Sequence, residues 1–279
     1  MPPASGDKFM LIEKLKTTVK SSPVFYKLLP PVARFVRRMR AQTKARKRAR
    51  EINRFRKFCL DLPKLVAKPF FVKVGANDGI TDDPCSDILL ADPDWSGLLI
   101  EPVPYCFERL KKNFPDTRRF TLEQVAIGSP AGEIPFYYVD AKAAEHLPNL
   151  PEWFDQIGSF DRKHIVKHLD GVLEPFIIEH KVKVCPLSDV IIRNRIQMVH
   201  LLHVDTEGHD YKVLKTLDFS KHAPLAIFIE HFHLSDAQRK EMLQLLHNHG
   251  YSVRNCVSDF FAVNQKAIGQ LQPAARREK

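Results

Sequence analysis

Four short stretches hold the side chains that could do chemistry. Phe70-Phe-Val-Lys-Val-Gly-Ala-Asn-Asp-Gly79 passes from an apolar, β-branched segment into glycine and small polar residues, and Ser96-Gly-Leu-Leu-Ile-Glu101-Pro102 ends in an acid. Met198-Val-His-Leu-Leu-His-Val-Asp205 runs into Thr-Glu-Gly-His-Asp210, and Leu225-Ala-Ile-Phe-Ile-Glu-His231 into Phe-His233. Buried parallel strands read as such apolar runs. A run that stops at glycine implies a tight, ligand-facing turn, since Gly75 and Gly79 can adopt φ > 0 or let a ligand approach the backbone. A glycine turn after one strand and an acid, Glu101, ending the next is the layout of a nucleoside-binding α/β sheet, in which the carboxylate takes two ribose hydroxyls.

The turn separates two classes of cofactor. A dinucleotide site needs G-x-G-x-x-G, so that a pyrophosphate can rest on a helix N-terminus. Gly75-Ala76-Asn77-Asp78-Gly79 lacks that spacing and places Asp78 where a phosphate would be repelled. An acid there suits a ligand carrying an ammonium group. S-adenosylmethionine has that group, a ribose and no phosphate.

The elements that must position these residues follow in chain order. Charge divides the chain first: the net charge is +10, yet residues 1–60 hold 17 Lys and Arg against 3 Asp and Glu. We therefore expect residues 1–60 to be a basic, partly helical extension, with a loosely ordered polar lead over 1–22. A basic helix over 33–58 is expected to begin anew after Pro30-Pro31. Through residues 26–58 it could bind an anionic membrane or nucleic acid. Residues 61–268 are expected to form the main domain, and 269–279 a disordered tail. Within it the reading gives a crossover helix over Asp82–Asp92 and a helix over Pro104–Asn113. A third strand is expected over Thr121–Gly128, a sheet addition or hairpin arm at Ile134–Val139, and a short helix at Tyr211–Leu217. A helix at Asp236–Asn248, capped by Ser235 and ended by Gly250, precedes an antiparallel closing pair, Tyr251–Val257 and Phe260–Val263. Residues 141–178 break this rhythm with Pro148, Trp153, Gly158, Phe160, His164 and His168, and read as a substrate lid.

Five scattered cysteines without a C-x-x-C pair argue against a disulfide framework or zinc site and fit a reducing, cytoplasmic setting, peripheral at a membrane if the basic helix binds one. No apolar run approaches the length of a membrane span, and the N-terminus lacks the apolar core of a secretory signal.

Taken together, Val74-Gly-Ala-Asn-Asp-Gly79, Ile100-Glu-Pro-Val-Pro104, Val125-Ala-Ile-Gly128, Pro186-Leu-Ser-Asp189, Val204-Asp-Thr-Glu-Gly208 and Ile229-Glu230 make residues 68–265 resemble the FkbM-type S-adenosylmethionine-dependent methyltransferases. The resemblance implies a Rossmann-like class I methyltransferase fold, with a seven-stranded, mostly parallel sheet and an antiparallel closing strand. It also implies O-methylation of sugar or natural-product hydroxyls, the acceptor being a small molecule or glycan. Carried over by residue, Gly75, Ala76 and Asn77 would shape the methionine end, Glu101 with Pro102 would hold the ribose, and Ala126 would line the adenine. Asp205 would face the methionine amine or the acceptor. The family more often has a small residue at the position of Asp78, and its pattern does not cover residues 1–60.

Methyl transfer from a sulfonium is an in-line displacement, so the enzyme must align the nucleophile and take its proton. His209 is the first candidate for proton acceptor, then His231, then His164 in the insertion, with Asp205 and Glu207 beside them. Asp205, Glu207, Glu230 and His231 could also hold a divalent metal. No fixed ligand spacing supports a metal, and acids beside a cationic cofactor account for the same residues. Two alternatives remain open: an RNA-modifying or RNA-binding protein that uses the basic helix, and a non-catalytic scaffold that keeps the fold.

Overall fold

The apolar runs form strands of the expected kind, and their register brings the chemical side chains to one edge. In a computed structural model that describes residues 29–271, helix α1 (Leu29–Leu65) leads into β1 (Phe70–Val74), α2 (Ser86–Ala91), β2 (Ser96–Ile100), α3 (Pro104–Asn113) and β3 (Phe120–Glu123). Next come β4 (Ala126–Ile127) and β5 (Gly132–Val139), then an insertion with two short helices, α4 (Ala143–His146) and α5 (Arg162–Val166), and β6 (Ile177–Cys185). The chain continues through α6 (Leu187–Arg193), β7 (Leu201–Val204), α7 (Asp210–Leu214), α8 (Phe219–His222), β8 (Ala226–Glu230) and α9 (Asp236–Asn248). It closes with β9 (Tyr251–Asn255), β10 (Asp259–Asn264) and α10 (Gln265–Gly269).

Seven strands form one sheet in the order β3-β2-β1-β7-β8-β10-β9, parallel except for β10, which is antiparallel to both of its neighbours. The strand order reverses between β1 and β7, the switch point at which open α/β sheets bind ligands. Val74 pairs with both Ile100 and Val204, and Val204 with Ile229. The next residues, Gly75, Glu101, Asp205 and Glu230, therefore stand in one row at the carboxyl ends.

Both faces of the sheet are covered, which explains why its central strands, β1 and β7, are apolar apart from Lys73 and His203. Val72, Val74, Leu98, Ile100, Leu202 and Ile227 meet α6, α7 and α9 through Leu187, Leu214 and Met242. On the other face Phe71, Leu99, Leu201 and Phe228 meet α2, α3 and the second half of α1. Ser235 and Gln238 form a reciprocal capping box at the start of α9, as their spacing predicts.

Several expected boundaries change. The run read as one strand over Thr121–Gly128 splits: β3 stays in the main sheet, and β4 joins β6 and β5 in a separate three-stranded sheet, ordered β4-β6-β5. The helix expected from Asp82 begins only at Ser86, because Asp83 is drawn into the interior and its Oδ1 accepts from the N–H groups of Cys85 and Ser86. Pro30-Pro31 lies in the first turn of α1, where proline is tolerated, and does not interrupt it. The polar lead over 1–22 and the tail beyond 271 lie outside the described residues.

The chain divides into two units, residues 1–47 and 48–279. In the first, residues 41–47 are helical and exposed. No helix among the described residues is long and apolar enough to cross a membrane. The second unit takes in residues 48–60, which charge alone had assigned to the extension. Phe55, Cys59 and Leu62 repeat at helical spacing and are at most 1% exposed, and the Phe55 ring stacks on Phe228 at 4.1 Å. Phe55→Ala should lower the unfolding free energy by about 3–5 kcal/mol in urea denaturation. Exposed Met39, changed to Ala, should move it by no more than about 0.5 kcal/mol.

Candidate active site

The row of strand ends is locked by backbone contacts that leave no room for a side chain at Gly75. That residue has φ +75°, and a Cβ there would fall 1.7 Å from the Asp205 carbonyl oxygen. Gly75 N–H and Ala76 N–H both donate to the Ile100 carbonyl, at 3.1 and 3.0 Å, and Asp205 N–H donates to the Val74 carbonyl at 3.0 Å. Glu101 then folds back into the turn. Its Oε2 accepts from Asn77 N–H and its Oε1 from Val103 N–H, each at 2.8 Å. Burial pushes this carboxyl up to about 7, against the pull of the two N–H groups.

Asp78 faces away from the cavity. Its Oδ1 accepts from the N–H groups of Ile80 and Thr81, and its Oδ2 from the Thr81 hydroxyl, so it closes its own turn and contacts no ligand space. The ammonium-facing role read from its charge is thereby corrected.

A cavity of about 910 Å³, counted to its open mouth, lies over the row. Gly75, Ala76, Asn77, Glu101 and Pro102 form one side, with Val125, Ala126 and Ile127 beside them, and Asp205, Glu207 and His209 close the far end. The insertion contributes Asp155, Gln156, Gly158, Ser159 and Phe160, and Ser159 is tied to Tyr137 of β5 by two 2.8 Å backbone bonds. At the back, the Lys73 ammonium lies 2.5 Å from Asp83 Oδ2, with His203 Nδ1 at 3.5 Å. Burial works against the Asp83 charge, but Lys73 and His203 outweigh it and hold the carboxyl well below the usual range.

Acids crowd the ends of β7 and β8. Asp205 opens onto the cavity yet is ringed by protein. Surrounding protein, then Glu207 and Asp210, push its carboxyl up; because the side chain is exposed to the cavity, the neighbouring acids are the firmer cause. Glu230 is raised in the same way, by burial and by Asp205. Asp210 is fully buried and accepts from Thr206 N–H and Gly208 N–H, shaping the loop. Burial also opposes the Glu207 charge, but His164 and His233, at 3.5 and 3.1 Å, hold it at about 2.

The profile described as "Methyltransferase FkbM domain" matches residues 73–253, well over half of the chain. The chain belongs to the FkbM methyltransferase family. It is similar to the solved methyltransferase FkbM of Methylobacillus flagellatus KT, at 16% identity and a TM-score of 0.42, over 71% of this chain and 43% of that one. It thus spans less than half the length of that protein. It is also similar to precorrin-6y C5,15-methyltransferase of Geobacter metallireducens GS-15, at 14% identity and a TM-score of 0.33, over 71% of each chain. No curated protein matches the chain.

The structure brings Gly75, Ala76, Asn77, Glu101, Pro102, Ala126, Asp205, Glu207 and His209 around one cavity. His231 does not join them: it is 6% exposed and its ring lies on Phe260 at 4.0 Å between centroids. His164 stands behind Glu207, outside the cavity lining. Nor do Asp205, Glu207, Glu230 and His231 converge as one metal set. Asp205 and Glu230 come together with Asp210 instead, while Glu207 groups with imidazoles. Lys73 and Asp83 went unread in the sequence, although a lysine inside an apolar strand implies a buried counter-charge.

The back wall generates a pH dependence of stability. Burial, with Lys73 adding to it, pushes His203 down to about 4 against the pull of Asp83. The unfolded chain takes a proton there near pH 6.5, the folded chain only near 4. The His203 contribution to stability is therefore complete above about pH 6.5 and falls by about 3 kcal/mol as pH drops to 4, whereas the raised Glu101 carboxyl acts in the opposite sense over the same range. The His203 part is read by difference: the gap in unfolding free energy between wild type and His203→Gln, from urea denaturation, should shrink by about 3 kcal/mol between pH 7 and 4.

Proposed function

We propose that this protein transfers a methyl group from S-adenosylmethionine to a hydroxyl oxygen of a sugar, glycan or natural product. The observation that carries the reading is the acid-rich lining of the cavity. It holds Asp82, Asp83, Glu101, Asp155, Asp205 and Glu207, and among the described residues Lys73 is its one Lys or Arg side chain, already committed to Asp83. Such a cavity offers a phosphate no free Lys or Arg, while a ligand carrying sulfonium and ammonium charges favours the ionised form of the raised Glu101 and Asp205 carboxyls.

The residues present fit that cofactor. The Gly75 turn brings backbone to the cavity wall where a Cβ has no room. Each Glu101 oxygen accepts one backbone N–H and keeps a further lone pair, enough for two ribose hydroxyls. Val125, Ala126 and Ile127 offer an apolar wall for the adenine, and Asp205 a carboxyl for the cationic end. When bound, the cofactor supplies a methyl group on positively charged sulfur, which leaves as a neutral thioether. The chain's own part is to align the acceptor and take its proton. His209 lines the cavity with its ring 4.7 Å from Phe160. Burial, then Lys212, pushes its imidazole down to about 4, so near pH 7 it is neutral and free to receive the hydroxyl proton as the new O–C bond forms, though as a weaker base than an unperturbed imidazole.

Two variants separate binding from chemistry. Glu101→Ala should weaken S-adenosylhomocysteine binding by about 2–4 kcal/mol in calorimetric titration, the loss of charge-assisted bonds. Unchanged affinity would remove Glu101 from the site. His209→Ala should keep cofactor affinity and lower kcat by about 10²–10⁴-fold, in an assay of labelled methyl transfer to sugars and alcohols. A folded wild-type protein that binds neither S-adenosylmethionine nor S-adenosylhomocysteine would sink the reading.

A further inference from the structure

Beside the cavity, the insertion meets the strand ends at a second cluster, which methyl transfer does not use. His164 of α5 and His168, just beyond the end of that helix, lie four residues apart. They face Glu207, from the loop after β7, and His233, from the loop after β8. All three rings turn the same atom inward. His164 Nε2 lies 3.3 Å from His168 Nε2 and 3.5 Å from Glu207 Oε2, and His233 Nε2 lies 3.1 Å from that same oxygen. Each residue offers one atom, and all four atoms lie within 4.8 Å of one another. We propose that His164, His168, Glu207 and His233 bind a divalent transition metal of the zinc class, which clasps the insertion to the ends of β7 and β8.

Three of the six distances between the four ligand atoms are close to those a tetrahedral ion requires, and the rest lie within 4.8 Å. Zinc–nitrogen and zinc–oxygen bonds of about 2.0–2.1 Å place neighbouring ligand atoms about 3.3–3.4 Å apart. The three contacts above bracket that edge, and half-buried rings can rotate to shorten the longer ones. Hydrogen bonding accounts for the cluster less well. Glu207 Oε2 is buried and makes no hydrogen bond of acceptable geometry, although two imidazole nitrogens lie within 3.5 Å. A contact between two Nε2 atoms needs one ring protonated there and the other not, whereas a metal takes both lone pairs.

Three imidazoles and one carboxylate favour zinc, cobalt or nickel over magnesium or calcium, which need oxygen ligands. The backbone is held accordingly: Glu207 has φ 52°, and Leu169 and Asp170, directly after His168, have φ 49° and 53°. Non-glycine residues keep such conformations where their surroundings impose them. Four protein ligands close the tetrahedron, so the ion is structural and activates no water. Its effect on the active site runs through Glu207, which also lines the cavity. The nearby trio Asp205, Asp210 and Glu230 offers carboxylates alone and is a separate group.

The test uses the full chain, stripped with chelator and titrated with Co²⁺ alone. One equivalent should bind with the intense visible bands of tetrahedral cobalt, and one equivalent of Zn²⁺ should abolish them. His168→Gln and His233→Gln should lose the bands, while His247→Gln, on α9, should keep them. Zn²⁺ should raise the melting temperature of wild type and not of His168→Gln. If folded wild type binds no stoichiometric Co²⁺ or Zn²⁺, the proposal is overturned, whatever the variants do. Octahedral cobalt, or bands that survive both His→Gln changes, would overturn it equally. None of these readouts depends on methyl transfer, so they separate this clasp from the catalytic reading.

Discussion

The contact between the Gly75 turn and the Asp205 carbonyl fixes the geometry on which the site depends. A backbone oxygen stands where a Cβ would project, so β1 and β7 can come level only if the first residue beyond β1 is glycine. Once level, Val74 sits opposite both Ile100 and Val204, and Gly75, Glu101 and Asp205, the residues that follow these strands, line the same cavity. Glu101 exploits the arrangement. Because Gly75 and Ala76 already bond the Ile100 carbonyl, the glutamate can fold back and accept from Asn77 N–H, binding the turn after β1 to the end of β2. A carboxyl that organises a loop with both oxygens, and keeps a lone pair on each, is well placed to organise a ligand too.

The strand ends were legible in the sequence because buried parallel strands are unbroken apolar runs, and such a run announces the residue that ends it. Side-chain direction was less legible. His231 follows Glu230 directly, and in extended chain successive side chains leave on opposite sides, so one faces the acids and the other lies on Phe260. Asp78 departs from expectation for a different reason. Residue type gave its charge, but the partners of that charge, Ile80, Thr81 and the Thr81 hydroxyl, are set by a loop whose path only the fold determines. In α1 the signal was present and outweighed: Phe55, Cys59 and Leu62 mark an apolar stripe, but the basic residues around them dominated the composition of the segment. The approach of the insertion to Glu207 is a contact between residues about forty apart in sequence, and no local pattern encodes it.

The electrostatics of the cavity assign its acids different tasks. Asp83 is answered by Lys73 at 2.5 Å, Asp155 by Arg109 at 2.7 Å, and Glu207 by two imidazoles. Glu101 and Asp205 are the lining acids pushed upward, and they differ in what they lack. Glu101 stands apart from the acids at the far end and is short of hydrogen-bond donors, the more so because its backbone partners leave lone pairs free. Asp205 has Glu207 and Asp210 raising it further, so what would relieve it is positive charge. A single ligand that presents hydroxyl donors at one end and a cation at the other satisfies both, in the order in which β2 and β7 set them along the row. A dinucleotide would bring a pyrophosphate between two carboxyls and worsen both.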